Sequence, residues 1–308
     1  MAWADQAVLV RVPATSANLG PGFDALGLAL SLHDEVQARV VKSGLSIEVA
    51  GEGAADVADA EEKHLMVRAM RAAFDELGGG QPPGIALRCV NRIPHGRGLG
   101  SSAAAIVAGI LAARALAGAT LGPGEALPLA NELEGHPDNV APCLYGGLTV
   151  SWIARRTARA VRLEPAGQVT PVVIIAPSRV STGVARGLLP KEVPHADAVR
   201  NAGRAALLVA ALTQRPDALL DATEDRLHQD YRAPAMPATH DLVGRLRGAG
   251  LPAVVSGAGP SVLALLTSRQ GLDKLDSIVK ETGIGWLISP LDVERQGASV
   301  APGVPSAR

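Results

Sequence analysis

The sequence predicts an α+β fold in two domains. Three observations point there. The chain has 308 residues, the length of two domains of ordinary size. Short β-rich runs recur along it, and its second half is the more helical. Apolar residues make up 47% of the chain, enough for a sizeable core.

Ala7 to Pro13 is a β-rich run ended by proline, and Thr15 to Asp24 (TSANLGPGFD) has loop chemistry. Ala25 to Leu32, Glu35 to Val41 and Ser46 to Val49 read as further strands. Glu61 to Leu77 has helical apolar spacing at Leu65, Val67, Ala69, Met70, Ala73 and Leu77. The break GGGQPPG separates it from a strand over Ile85 to Val90. A glycine-rich loop, Pro94 to Gly100, leads into an Ala-rich helix, Ser101 to Leu116. A second helix runs from about Gly124 to Leu133, and EGHPDN (Glu134 to Asn139) is loop or helix entry. Gly147 to Ala154, Ala160 to Leu163 and Val172 to Ala176 are strands. The domain change falls between Leu163 and Val172, giving domains 1–168 and 169–308.

The second domain carries helices over His195 to Leu212, Pro216 to Arg226, Thr239 to Arg247 and Leu272 to Glu281. Val254 to Leu266 reads as strand, turn, strand, with the turn at GAGP (Gly257 to Pro260), and a strand lies near Trp286 to Ile288. The small, Pro-containing tail from about Gly297 is expected to be disordered.

Composition narrows the function. Net charge is -1 and aromatics are 2%, so neither an electrostatic footprint for nucleic acid nor stacking platforms for bases are present. No partner among membranes is indicated either, because the longest apolar run, Ala103 to Ala113, is too short to span a bilayer. Cys89 and Cys143 lack zinc or redox spacing and read as packed thiols of a reduced compartment. The N-terminus has no basic region followed by an apolar run, so a cytoplasmic location is expected.

PHGRGLGSSAAA (Pro94 to Ala105) is the most informative segment. Glycine at 96, 98 and 100 lets backbone turn sharply and approach a ligand. The helix that starts at Ser101 offers unpaired N–H groups and the positive end of its dipole, a site suited to phosphates. A serine hydroxyl there can reach a phosphate-bound Mg²⁺. The spacing matches neither the Walker nor the dinucleotide-binding loop. The bland alternative is a strand-to-helix turn with Ser101 as its cap.

A strand, then PxxxGLGSSAA, then an Ala-rich helix resembles the nucleotide-binding signature of the GHMP kinases. VRVPATSANLGPGFDALGLAL (Val10 to Leu30), EGHPDNVAPCLYGG (Glu134 to Gly147), VSTGVAR (Val180 to Arg186), YRAP (Tyr231 to Pro234) and VSGAGPSVLAL (Val255 to Leu265) resemble the homoserine kinase branch of that superfamily. The resemblance runs from about Val8 to Pro290. HQDYRAP departs from the branch at Asp230.

The resemblance implies an N-terminal domain of the ribosomal protein S5 type and a ferredoxin-like C-terminal domain. It implies phosphorylation of the hydroxyl of L-homoserine by ATP with Mg²⁺, one step before threonine formation, by a homodimer. ATP would lie on Pro94, His95, Gly96, Arg97, Gly98, Leu99, Gly100, Ser101, Ser102, Ala103 and Ala104. Ser102 and Glu134 would serve the metal, with Glu132 the rival carboxylate. Asn18, Asp24, His136, Arg186, Arg232 and Gly259 would hold the acceptor, the two arginines taking its α-carboxylate as planar forks do. Asp138, Asn139 and Thr182 would orient the reacting groups.

Each of these residues also has an ordinary reading. Asn18 and Asp24 suit turns, Arg186 and Arg232 a solvated surface, and EGHPDN a helix cap. Thr182 could cap the segment after it, and GAGP could be a plain hairpin turn. Two rival functions are another GHMP kinase, such as a mevalonate kinase, and a non-catalytic ligand sensor. The arginine pair with SANLGPGFDALG opposes the first, and intact GLGSSAA and EGHPDN segments oppose the second.

Overall fold

The computed structural model describes residues 3–56, 61–119 and 123–303. The first half builds one sheet and its helices: β1 (Val8–Ala17), β2 (Leu26–Val40), β3 (Gly44–Gly51), α1 (Leu65–Glu76), β4 (Gly84–Asn91), α2 (Ser101–Leu116), α3 (Pro123–Glu134), α4 (Pro137–Tyr145), β5 (Leu148–Ala154) and β6 (Thr157–Leu163). β1 and β2 form a long antiparallel ladder whose register shifts between Pro13 and Ala14. β2 also pairs β4 through Glu35–Val40 and β5 through Leu26–Leu28. β3 runs parallel to β4, and β6 closes the far edge beside β5.

Two strand readings needed revision here. β1 continues through Thr15, Ser16 and Ala17, so the expected loop begins only at Asn18. The two strands expected around His33 and Asp34 are one. That polar pair looks like a break but is buried and satisfied: Asp34 accepts the N–H groups of Arg92 and Ile93, and His33 bonds Glu294 at 2.7 Å.

The second half adds β7 (Thr170–Ile175), α5 (Thr182–Gly187), α6 (His195–Thr213), α7 (Leu219–Ala222), α8 (Gln229–Arg232), α9 (Pro237–Gly248), β8 (Ala253–Val255), β9 (Val262–Leu266), α10 (Arg269–Glu281), β10 (Leu287–Pro290) and β11 (Ser299–Pro302). β10, β7, β9 and β8, in that order, form an antiparallel four-stranded sheet. Its inner strands β7 and β9, with β8, are buried on both faces, which explains their continuous Val, Leu and Ile content. Alternate residues point to opposite sides. Val173, Leu263 and Leu265 join Leu208 and Leu212 of α6 in a hydrophobic cluster continuous with the core of the first sheet. Val172, Ile174 and Ala264 face Leu242 and Leu246 of α9 and Leu275 of α10. The two halves therefore meet through shared apolar surface.

The tail also departs from expectation. The Leu30–Val293 bridge leads it back across the first sheet. Ala298 then donates to the Cys143 carbonyl, and β11 pairs antiparallel with β1 over Val8–Arg11. From about Gly297, where disorder was expected, the chain thus forms an edge strand through Pro302; residues 304–308 of the tail lie outside the described part. Among the described residues no helix is long and apolar enough to cross a membrane.

Glu224, after α7, gathers Arg200 and Arg204 from α6 and its neighbour Arg226, with bonds of 2.9–3.1 Å. These arginines, Arg200 foremost, hold its carboxyl at about 2, below the ordinary 4.5. A depressed carboxyl contributes stability that is complete above its unfolded value and is lost as pH falls through the folded one. Glu224→Gln is therefore expected to lower the melting temperature near neutral pH, with the gap to wild type closing as pH falls from 4.5 toward about 2. A gap independent of pH would show that the cluster contributes no charge-dependent stability.

Candidate active site

Segments far apart in sequence meet at a cleft of about 180 Å³ between the two sheets. Its floor is the glycine loop. Gly98 and Gly100 have φ of 73° and 70°, the left-handed region that other residues enter at a cost. A β-carbon on Gly98 would stand 2.1 Å from the Ser256 carbonyl oxygen, and one on Gly100 would stand 2.0 Å from Thr15 Oγ1. The close approach is used: Ser256 Oγ donates to the Gly98 carbonyl at 2.6 Å and lies 2.9 Å from Ser16 Oγ. The Gly257 N–H donates to Ala17, and Asn18 Nδ2 donates back to the Gly257 carbonyl. Loop, end of β1 and GAGP turn are thus one interlocked unit. The turn is also the β8–β9 hairpin connection, as the ordinary reading of GAGP expects, and its Gly257 and Gly259 line the cleft.

Helix α2 starts at Ser101 behind Gly100, with no side-chain cap. Ser101 is therefore not the cap that the bland reading made it, and the first N–H groups are left facing the cleft entrance. Ser102 Oγ donates to Glu134 Oε1 at 2.6 Å. Burial pushes the Glu134 carboxyl up, and the Ser102 bond partly offsets this. A hydroxyl and one carboxylate fit Mg²⁺, which takes few protein ligands beside phosphate and water oxygens. Glu132 is exposed and outside the cleft, so Glu134 is the carboxylate that fits.

Helix α4 brings the EGHPDN residues in. Pro137 opens the helix, suiting a position whose N–H has no partner anyway. Asp138 is 1% exposed and lies 3.0 Å from His136 Nδ1. Burial alone would lower the imidazole, but the bond and charge of Asp138 outweigh it and raise His136. Thr15 Oγ1 donates to Asn139 Oδ1 at 2.8 Å, which leaves the amide nitrogen of Asn139 as the free donor end.

The opposite end of the cleft is cationic. Arg186, on α5, donates two bonds to Asp24, at 2.5 and 3.1 Å, and this pairing raises the arginine. Arg232, on α8, is 1% exposed and has no ion-pair partner among the described residues. Its NH1 donates to Gly257 O at 3.2 Å and to His228 Nδ1 at 3.1 Å, and its Nε has no partner. Burial and the nearby Arg186 charge lower it. Both guanidinium groups lie over the Phe23 ring, at 5.6 and 5.3 Å.

A second, largely apolar pocket of about 390 Å³ opens on the other side of Ser101 and Ser102. Val12, Val36 and Met66 line it, with His95, His64 and Asp34 as polar groups.

Most of the residues singled out in the sequence do line the cleft: Asn18, Gly96, Gly98, Gly100, Ser101, Ser102, Glu134, His136, Asp138, Asn139, Thr182, Arg186, Arg232 and Gly259. Asp24 is held beside it by Arg186. His95 and Ala104 line the second pocket instead. Pro94, Leu99 and Ala103 are buried beneath the loop, and Arg97 turns away to the Ala176 carbonyl. Ser181, not Thr182, caps α5. Phe23, His228 and Ser256 escaped sequence reading; the four-residue spacing of His228 and Arg232 was the available hint.

The chain matches the family models for the GHMP kinases N terminal domain over residues 64–147 and the GHMP kinases C terminal over 205–285. It is 59% identical to homoserine kinase of Streptomyces coelicolor, covering 96% of this chain and 95% of that one. It is 50% identical to homoserine kinase of Clavibacter michiganensis, covering 95% and 93%. Among solved structures it is similar to homoserine kinase from Cytophaga hutchinsonii, with a TM-score of 0.83 and 31% identity over 96% of this chain and 98% of that one. L. major mevalonate kinase, at 16% identity and a TM-score of 0.68 over 92% and 95%, shares the fold.

The glycine loop yields a graded test. Alanine at Gly96 meets only the flexible Arg179 side chain at 3.5 Å, whereas at Gly98 and Gly100 it collides with the fold at about 2 Å. Gly96→Ala is expected to cost roughly 1–2 kcal/mol in urea unfolding, the left-handed backbone penalty alone. Gly98→Ala and Gly100→Ala should cost clearly more. Equal losses at all three positions would mean that close approach is not what selects glycine.

Proposed function

Because the chain belongs to the homoserine kinase family of the GHMP kinases, we propose how this cleft moves the γ-phosphoryl group of ATP onto the hydroxyl of L-homoserine. The product is O-phospho-L-homoserine. One observation carries the site assignment: a phosphate-suited helix start and a buried, carboxylate-free arginine face the same cleft. A substrate pair with a triphosphate at one end and a carboxylate at the other fits that polarity.

The nucleoside enters the apolar pocket, and its phosphates pass Ser101 and Ser102, which border both cavities. The first N–H groups of α2 hold phosphate oxygens. Mg²⁺ on Ser102 and Glu134 would neutralise charge on the β- and γ-phosphates.

At the other end, Arg186 and Arg232 take the α-carboxylate and Asp24 takes the ammonium. Arg186 and Asp24 satisfy one another before the acceptor arrives. A zwitterion can exchange for that pair without leaving either charge alone. Mevalonate carries no ammonium and galactose neither charge, so both leave part of the site unmet. The acceptor hydroxyl then lies toward Asp138 and Asn139. Asp138, immobilised by His136, orients that hydroxyl; the Asn139 amide donates to an oxygen of the transferring group, and Thr182 adds a hydroxyl beside it. Phosphoryl transfer depends mainly on in-line positioning and charge stabilisation, which these fixed groups supply.

With MgATP, ADP release is expected with L-homoserine and far less with mevalonate or galactose. Arg232→Met should raise the homoserine KM and leave the ATP KM nearly unchanged. Loss of one partner of a buried charged contact, about 2–5 kcal/mol, corresponds to roughly 30-fold or more in kcat/KM. Equal turnover of mevalonate would overturn the acceptor assignment. A rise in ATP KM alone would move Arg232 to the nucleotide.

A further inference from the structure

His228 lies under the arginine end of the cleft with no exposed surface. Its Nε2 is 2.9 Å from the Gly20 carbonyl oxygen, and its Nδ1 is 3.1 Å from Arg232 NH1. A carbonyl can only accept, so Nε2 must carry the hydrogen. A guanidinium can only donate, so Nδ1 must be bare. One ring form, the neutral Nε2–H tautomer, satisfies both contacts. An imidazolium would set a second hydrogen against the arginine and add a third positive charge beside Arg186 and Arg232.

We propose that His228, in this tautomer, is a positioning residue that fixes the Arg232 guanidinium for the acceptor carboxylate, an inference that rests on the arginine clamp above.

The surroundings leave the ring little other use. Asp225 is the nearest carboxylate, 3.7 Å from Nε2, but its oxygens accept the N–H groups of Leu227, His228 and Gln229. It caps the turn rather than charging the ring. Burial lowers His228, which also favours the neutral form. The Phe23 ring stacks on His228 at 5.1 Å and carries both guanidinium groups on its surface. Gln229 Oε1 accepts the Val255 N–H at 2.6 Å and pins the turn to β8. Histidine and arginine, four residues apart on this turn, project the same way. Gly20 belongs to the loop that carries Asn18 and Asp24. His228 thus sets Arg232 relative to that loop: the acceptor's two charged ends are read by groups tied through one imidazole.

Three variants and one spectrum test this. Asparagine can place its oxygen near the Nδ1 position, whereas glutamine reaches the Nε2 position. His228→Ala and His228→Gln are expected to raise the homoserine KM roughly tenfold, the worth of one hydrogen bond to a charged group, with ATP KM unchanged. His228→Asn should recover most of that loss. On 3-aminopropan-1-ol, which lacks the carboxylate, the three variants should match wild type. Nitrogen NMR of histidine-labelled wild-type enzyme, assigned against His228→Asn, should show a protonated Nε2 and a bare Nδ1. Recovery by Gln rather than Asn, no loss with Ala, or an Nδ1–H or imidazolium ring at neutral pH would overturn the proposal. Equal losses on homoserine and on the analogue, with the tautomer as expected, would instead overturn the carboxylate reading of Arg232 and leave the His228–Arg232 contact standing.

Discussion

A buried guanidinium without a carboxylate is the constraint around which this molecule is arranged. Burying a charge costs several kcal/mol unless neighbours compensate. Around Arg232 the compensation comes from neutral groups: the Gly257 carbonyl, His228 and the face of Phe23. An acidic partner would neutralise the arginine and remove its use. The fold instead leaves the charge without an anionic partner, the place that the proposed function gives to the acceptor carboxylate. Arg186 is treated differently. It is paired with Asp24 at the cleft mouth, where solvent lowers the cost of exchange.

Keeping Arg232 in place requires three remote segments to be held in register. The end of β1, the glycine loop and the GAGP turn do this through Ser16, Ser256, Asn18 and the Gly98 and Gly257 backbones. The glycine loop and the loop that carries Asn18 are therefore one body. A shift of the glycine loop would move the Gly257 carbonyl, which Arg232 also uses. The continuous core beneath, from α2 through α6 to the inner face of the second sheet, resists such shifts.

Helix α2 was readable to the residue because glycines stop abruptly where an alanine run begins. The buried strands of the second sheet were readable from their unbroken apolar runs. β2 was read as two strands because His33 and Asp34 find partners, Glu294 and the Arg92–Ile93 backbone, that are remote in sequence. Helix α4 was seen only as an entry, because Pro137 and Pro142 mask its apolar face. β11 escaped because a short, exposed edge strand has no hydrophobic pattern of its own; its partner β1 defines it. In the site, the glycine loop carried its own chemistry, but the arginines and EGHPDN acquired roles only by resemblance. His228 and Phe23 are placed by contacts to residues that no local pattern joins, such as Gly20, 208 positions from His228.

The arrangement of charges makes a direct statement about how the acceptor lies. A crystal structure of the protein with L-homoserine and a non-hydrolysable ATP analogue would test it. The α-carboxylate is expected within hydrogen-bonding distance of Arg186 and Arg232, the ammonium at Asp24, and the hydroxyl beside Asp138 and Asn139 facing the terminal phosphate. Homoserine bound with its carboxylate away from both arginines, or with Arg232 still without an anionic partner, would contradict the account.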